Sequence, residues 1–143
     1  VSTAFLRASI ADQGGREIWV QPPKESEDRR PGYGWRLKKA LYGLRQSPRL
    51  WYGHIKQELE RLGYTSSVRE PCLFVKGGSR EGWVQSIIVI HVDDFLVLGD
   101  HRTLRRDLAK LGERVVLKSD LQEASVAGEW TYLGRRVRQR DGG

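Results

Sequence analysis

The stretch WVQSIIVIHVDDFLVLGD, residues 83–100, decides how the chain is read. Two apolar runs, residues 87–90 and 95–98, flank the tetrad His91-Val92-Asp93-Asp94. Runs rich in Ile, Val and Phe predict strands of a buried sheet, and a short polar break predicts a hairpin between them. Adjacent carboxylates are a costly choice for that break. Two like charges about 4 Å apart repel by roughly 4 kcal/mol at an effective dielectric near 20. A divalent cation would reverse the sign of that cost. A hairpin tip with merely solvated aspartates explains these residues equally well at this point, because Asp is a common turn residue.

Outward from this stretch the periodicity alternates between two and nearly four. Residues 72–75 predict another strand, and residues 76–82, KGGSREG, the turn that leads into the hairpin. Residues 103–112 predict a helix with Leu104, Leu108 and Leu111 on one face and Asp100 placed to cap its start. Upstream, Ser47-Pro48 has the form of a helix start, with Ser as cap and Pro in the first turn. Trp51, Ile55, Leu59 and Leu62 follow at spacings of four, four and three, and Gly63 sits past the end. That is an amphipathic helix whose solvated face carries Lys56, Glu58, Glu60 and Arg61. Short strands are expected at 18–20, at Trp35 and Leu37 with Arg36 and Lys38 as a basic face, at 115–117, and at 130–137. Residues 24–34, KESEDRRPGYG, and 121–129 read as loops. Hairpin-linked strands with two helices spaced to cover one face predict an α+β fold around a largely antiparallel sheet.

Bulk properties narrow the function classes. The 143 residues make one domain or a piece of a larger one. The opening at Val1 without a Met suggests a fragment boundary. One cysteine, Cys72, excludes an internal disulfide, and with three scattered histidines it argues against a zinc site. No apolar run reaches the roughly 18 residues of a membrane span, so no membrane partner is expected from one. The net charge of +7, with 25 Lys and Arg, favours a polyanion, nucleic acid first and an anionic membrane surface second.

At this point the motifs match a family. LYGLRQSPRLWY at 41–52 resembles the signature of copia-type LTR retrotransposon reverse transcriptases, and HVDD at 91–94 resembles their Tyr-Val-Asp-Asp box. The agreement extends to VSTAFL at 1–6, IWVQPP at 18–23, WRLKKALYGL at 35–44, EPCLFVK at 70–76 and YLG at 132–134, in matching order and spacing.

The resemblance implies the palm of a right-hand polymerase with part of the fingers, filling residues 1–143 as a single fragment, without the thumb, connection and RNase H parts of the Pol polyprotein. The implied reaction is RNA-directed DNA synthesis: a primer 3′-hydroxyl attacks the α-phosphate of a deoxynucleotide and pyrophosphate leaves. Two Mg2+ ions, or Mn2+ in their place, would serve it. By position Asp93 would ligate metal and Asp94 would assist. Ala4 and Phe5 fall where the family's pocket floor holds the incoming sugar, so the Phe5 ring would collide with a ribose 2′-hydroxyl. A core phenylalanine is the plain alternative. Tyr42 and Gly43 would lie against the nascent base pair, Gly43 allowing close backbone approach. Lys38, Lys39, Arg45 and Arg49 would meet template or triphosphate charge. His91, Tyr132 and Gly134 would also face nucleic acid; Tyr132-Leu133-Gly134 resembles the family's closing hairpin, a primer-side support, although core packing explains the apolar residues there equally well. Implied partners are a primed RNA or DNA template, deoxynucleoside triphosphates and the remaining Pol domains (thumb, RNase H, integrase). The implied setting is intracellular, a cytoplasmic virus-like particle or the nucleus.

Three departures qualify this expectation. The family's first metal-binding Asp falls just before the residue matching Val1, so the fragment by itself is expected to lack a complete two-metal site and to be inactive. His91 replaces the usual Tyr, placing a titratable group next to two carboxylates. LQEASVAGE at 121–129 replaces a shorter family link. A non-catalytic nucleic-acid-binding remnant of a degenerate or host-retained element is the alternative function.

Overall fold

Ten elements follow one another in the computed structural model, which describes residues 6, 8–10, 17–78, 82–115, 117 and 129–138. They are β1 (Trp19–Val20), β2 (Trp35–Arg36), α1 (Ser47–Arg61), β3 (Thr65–Ser66), β4 (Leu73–Gly77), β5 (Val84–His91), β6 (Asp94–Gly99), α2 (His101–Gly112), β7 (Glu129–Tyr132) and β8 (Arg135–Arg138). The fold is α+β, and every strand pairing is antiparallel. The chain divides into two compact units, Ser2–Glu58 and Leu59–Gly143.

In the first unit, β1 and β2 form a two-stranded ribbon with Trp19 opposite Arg36 and Val20 opposite Trp35. Leu37 N–H donates to Ile18 C=O, and Ala40 N–H to Ala8 C=O, tying residues 37–40 to two earlier segments. Trp35 was expected on a half-buried strand; it is exposed, because a two-stranded ribbon has little surface behind which to hide a side chain.

Helix α1 starts where the Ser-Pro pair predicts, but Ser47 is not its cap. The first i to i+4 bond runs from Leu50 N–H to Gln46 C=O, which makes Gln46 the capping position. The buried Ser47 hydroxyl instead donates to Leu41 C=O at 2.5 Å, holding the preceding turn against the helix. Trp51, Ile55 and Leu59 are buried as their spacing requires. Glu58 departs from expectation: it is buried, not on the solvated face. Past the last turn, Gly63 takes φ +88°, with Gly63 N–H donating to Glu60 C=O and Tyr64 N–H to Leu59 C=O. That is the Schellman stop that glycine supports without strain.

The second unit is built on a four-stranded sheet in the order β3-β4-β5-β6. Along β5, Ser86, Ile88 and Ile90 are buried while their neighbours are less so, the period of two expected when one face packs. Phe74 on β4 and Leu104 and Leu111 on α2 are buried with them, and α2 packs against β5 and β6. Asp100 caps α2 as expected, its carboxylate accepting from Thr103 N–H at 2.8 Å. That bond holds the Asp100 pKa below the usual carboxylate range.

A polar cluster braces this sheet. Lys76 Nζ on β4 donates to Asp107 on α2 at 2.6 Å and to Leu62 C=O at 2.6 Å, and lies 5.2 Å from the centre of the Tyr64 ring. The Tyr64 hydroxyl in turn bonds Ser86 at 2.9 Å. Asp107 is nearly fully buried and also accepts from Arg106, so its charge is matched on both oxygens. Nothing in the periodicity of the sequence signals this cluster.

Two elements differ from expectation at the C-terminal end. The single strand expected over 130–137 is a hairpin, β7 and β8, reversing at Leu133-Gly134. Val115 is buried at a bend that follows α2 and not on a strand; the remainder of 115–117 and the loop at 121–128 lie largely outside the described residues.

Candidate functional site

Each of the two groups of candidate residues sits in its own unit. In the second unit, β5 and β6 pair without interruption from Ser86 opposite Gly99 to His91 opposite Asp94. The tetrad therefore closes as a two-residue turn, Val92-Asp93, tighter than a four-residue break. Val92, the first of the two turn residues, takes φ +54°, the positive φ that two-residue hairpin turns require at that position. Glycine is the usual residue at that first position. A β-branched side chain there stores about 1–3 kcal/mol of backbone strain. The turn persists because the paired strands behind it, anchored by Ile88 and Ile90, determine where the chain must reverse.

The tip presents polar groups at the end of an apolar hairpin. His91 and Asp94 are exposed and face each other across the ladder, while Asp93, between them in the turn, is partly buried. At the opposite end, Gly99 takes φ +139°, and a Cβ there would lie 2.4 Å from Gln85 C=O. Only glycine lets β6 pass so close to β5.

The second hairpin contributes to this end of the sheet. Tyr132, the last residue of β7, has a buried hydroxyl that finds no hydrogen-bond partner among the described residues. Burial pushes its phenol pKa up, and the charges of Asp94 and Cys72 push the same way, which puts these three residues in one neighbourhood. Cys72 is itself raised, by burial first and then by Glu70. Gly134 takes φ +74° in the turn.

In the first unit, Lys38, Lys39, Tyr42, Arg45 and Arg49 are all exposed, on the segment that runs from β2 into α1. Gly43 takes φ +89° with open space around it, so another molecule's backbone or base could approach closely there. Ala4 and Phe5 lie outside the described residues. Among the described residues, no group of three or more His, Cys, Asp or Glu gathers as a metal cluster. No described helix is long and apolar enough to cross a membrane. Reading the sequence missed the strained Val92 and the obligatory Gly99. The sequence signal for Gly99 was available: a glycine closing an otherwise continuous apolar strand.

This α+β arrangement, with an acidic pair on a tight antiparallel hairpin and a basic segment in a separate unit, agrees with the family to which the motifs point. The family described as Reverse transcriptase (RNA-dependent DNA polymerase) matches residues 1–143. The chain is 35% identical over 120 residues, 82% of its length, to the Retrovirus-related Pol polyprotein from transposon RE1 of Arabidopsis thaliana, covering 8% of that protein. It is 37% identical over 122 residues to the corresponding RE2 polyprotein of the same plant, again 82% of the chain and 8% of the relative. Against the polyprotein from transposon TNT 1-94 of Nicotiana tabacum it is 30% identical over 138 residues, 96% of the chain and 10% of the relative. No solved structure matches. The chain belongs to the reverse transcriptase family, in its copia-type retrotransposon branch. It spans 8–10% of the length of these Pol polyproteins.

Proposed function

We propose that this chain forms the palm and part of the fingers of an RNA-directed DNA polymerase carried in a Pol polyprotein. The observation that supports it best is the strained Val92-Asp93 turn, which holds Asp93 and Asp94 at the end of a packed hairpin. Their oxygens are hard donors, and Mg2+ takes few protein ligands, leaving positions for phosphate oxygens, so the donor set fits that ion. With divalent ions bound, the chemistry supplied is activation of a primer 3′-hydroxyl and stabilisation of the pyrophosphate leaving group.

The chain's own residues divide the remaining work. Asp93 is the principal ligand and Asp94 the assisting one. Tyr42 and Gly43 line the nascent pair, with Lys38, Lys39, Arg45 and Arg49 meeting phosphate charge. Phe5 sets the preference for deoxynucleotides. His91, Tyr132 and Gly134 face the primer side, beside the acidic tip. Template, primer, deoxynucleoside triphosphates and the remaining Pol domains are the partners this reading requires.

Primer extension by the parent Pol protein tests it. Asp93→Asn is expected to lower nucleotide incorporation about a hundredfold or more while leaving oligonucleotide affinity in place. Unchanged incorporation would remove Asp93 from the site. An exposed imidazole opposite Asp94 favours one second reading, a nucleic-acid-binding remnant without chemistry. It predicts salt-sensitive binding with no magnesium-dependent incorporation by the parent protein.

A further inference from the structure

Three aromatic side chains of the first unit take no part in the polymerase site, and all three are exposed: Trp19 at 60%, Tyr33 at 60% and Trp35 at 43%. Single exposed apolar residues are ordinary on protein surfaces. These three are held in place by donors and neighbours instead. The Trp35 indole N–H donates to Asp28 at 3.0 Å. Across the ribbon from Trp19, the Arg36 guanidinium donates to Glu17 at 2.7 Å. Trp19 packs against the backbone of Gly34, where a Cβ would lie 3.6 Å from its Cε3. The Arg30 guanidinium sits 5.0 Å from the centre of the Tyr33 ring, a cation–π distance.

The register makes this a two-sided object. Trp19 pairs with Arg36 and Trp35 with Val20, so the two indoles project from opposite faces of the ribbon. Rings already held by a hydrogen bond, as Trp35 is, or by neighbouring groups lose little conformational freedom when something stacks on them. The chain that follows Asp28 carries charge of one sign. Residues 29–52 contain Arg29, Arg30, Arg36, Lys38, Lys39, Arg45 and Arg49 and no Asp or Glu. Asp28 is occupied by the Trp35 indole and Glu17 by Arg36, while Glu25 and Glu27 precede the basic run.

We propose that the β1–β2 ribbon is a stacking platform for single-stranded nucleic acid, with Trp19, Tyr33 and Trp35 offering ring faces to unpaired bases and the flanking Arg and Lys side chains meeting the phosphates. Exposed rings interleaved with basic residues suit unpaired strands, because every base has a π-face and duplex bases hide theirs. The choice of nucleic acid as ligand rests on the polymerase reading, and the platform would hold template that has not yet paired.

The test is fluorescence anisotropy of a short labelled oligothymidylate with the 143-residue chain and its Trp19→Leu, Tyr33→Leu and Trp35→Leu variants. Each change is expected to weaken single-strand binding about fivefold to tenfold, and duplex binding less than about twofold. The slope of affinity against salt should stay unchanged, since no charge is removed. Photocrosslinking of a halouridine oligonucleotide to the unsubstituted chain gives a readout that no folding defect can disturb. Adducts on Trp19, Tyr33 or Trp35 support the platform, and adducts confined to other residues overturn it. Unchanged single-strand affinity, or equal loss for duplex, overturns it as well. Retained affinity with weakened capture of the remaining Pol segments would mark the ribbon as a protein contact instead. The two readings separate in the parent protein: loss of incorporation with Asp93→Asn bears on the active site, and loss of single-strand binding with Trp19→Leu or Trp35→Leu bears on the ribbon.

Discussion

The two hairpins of the second unit reverse direction in the same number of residues and by different means. The β7–β8 turn, Leu133-Gly134, has positive φ at both positions, the type I′ shape that matches the twist of paired strands. Glycine occupies its second position and Leu133, which is not β-branched, the first. The β5–β6 turn places Val92, a β-branched residue, at φ +54° and follows it with two carboxylates. One turn uses residues suited to its geometry. The other uses residues that oppose it, and a turn built against local preference is held by the sheet behind it. Such strain collects where chemistry needs side chains in a fixed place.

The comparison can be broken at several points. Gly99→Ala should have the largest effect, because the new Cβ meets Gln85 C=O at 2.4 Å on a backbone with φ +139°. A loss of about 3 kcal/mol or more in a denaturant titration is expected, and near-neutral behaviour would show that β6 can shift. Gly134→Val would turn the relaxed tip into a second strained one, costing about 2 kcal/mol by the same measurement.

The reverse exchange sharpens the contrast. Val92→Gly should change stability by no more than about 1 kcal/mol, since relief of strain offsets the added freedom of the unfolded chain. Incorporation by the parent protein should nonetheless fall, because the aspartates are held less firmly. Full activity with Val92→Gly would mean that the strain serves nothing.

Smaller effects come from the neighbourhood shared by the hairpins. Tyr132→Phe removes a buried hydroxyl with no partner among the described residues and should be neutral or stabilising by up to about 1 kcal/mol. The phenol pKa is raised in the folded state, so its neutral form is the one folding favours. Its effect on stability is therefore flat below about pH 10, the unfolded value, and turns unfavourable as pH rises above it. Tyr64, also raised, acts in the same direction. Thermal unfolding between pH 9 and 11 should show a shallower alkaline loss for Tyr132→Phe. Last, Cys72 should react with iodoacetamide at about pH 8 more slowly than a free thiol, because burial and Glu70 hold it protonated. A rate equal to that of free cysteine would separate Cys72 from the sheltered side of this neighbourhood.

Much of this was legible in the residues. The ends of α1 and α2 could be placed because Pro48, Gly63 and Asp100 act through local geometry that needs no distant partner. The β5–β6 pair was legible because a buried strand must be apolar, and its polar interruption marks the reversal. The buried Glu58 and the Lys76–Asp107 pair were not, because a charged side chain at a helical position reads as solvated unless its partner is known, and that partner lies 31 residues away in the pair. The hairpin at 129–138 was legible only through the resemblance of Tyr132-Leu133-Gly134 to the family's closing hairpin; the residue pattern missed it because Leu133 can continue a strand, and only pairing shows that it turns.

By itself, then, the sequence determined the α+β class, the two helices with their stops, the acidic hairpin and membership of the reverse transcriptase family. Tertiary structure decided the two-residue turn that strains Val92, the passage of β6 that only Gly99 permits, and the approach of Tyr132 to Asp94 and Cys72. The first group depends on short-range preferences and burial patterns that each segment carries within it. The second depends on which distant segments meet, and that is set only when the sheet assembles.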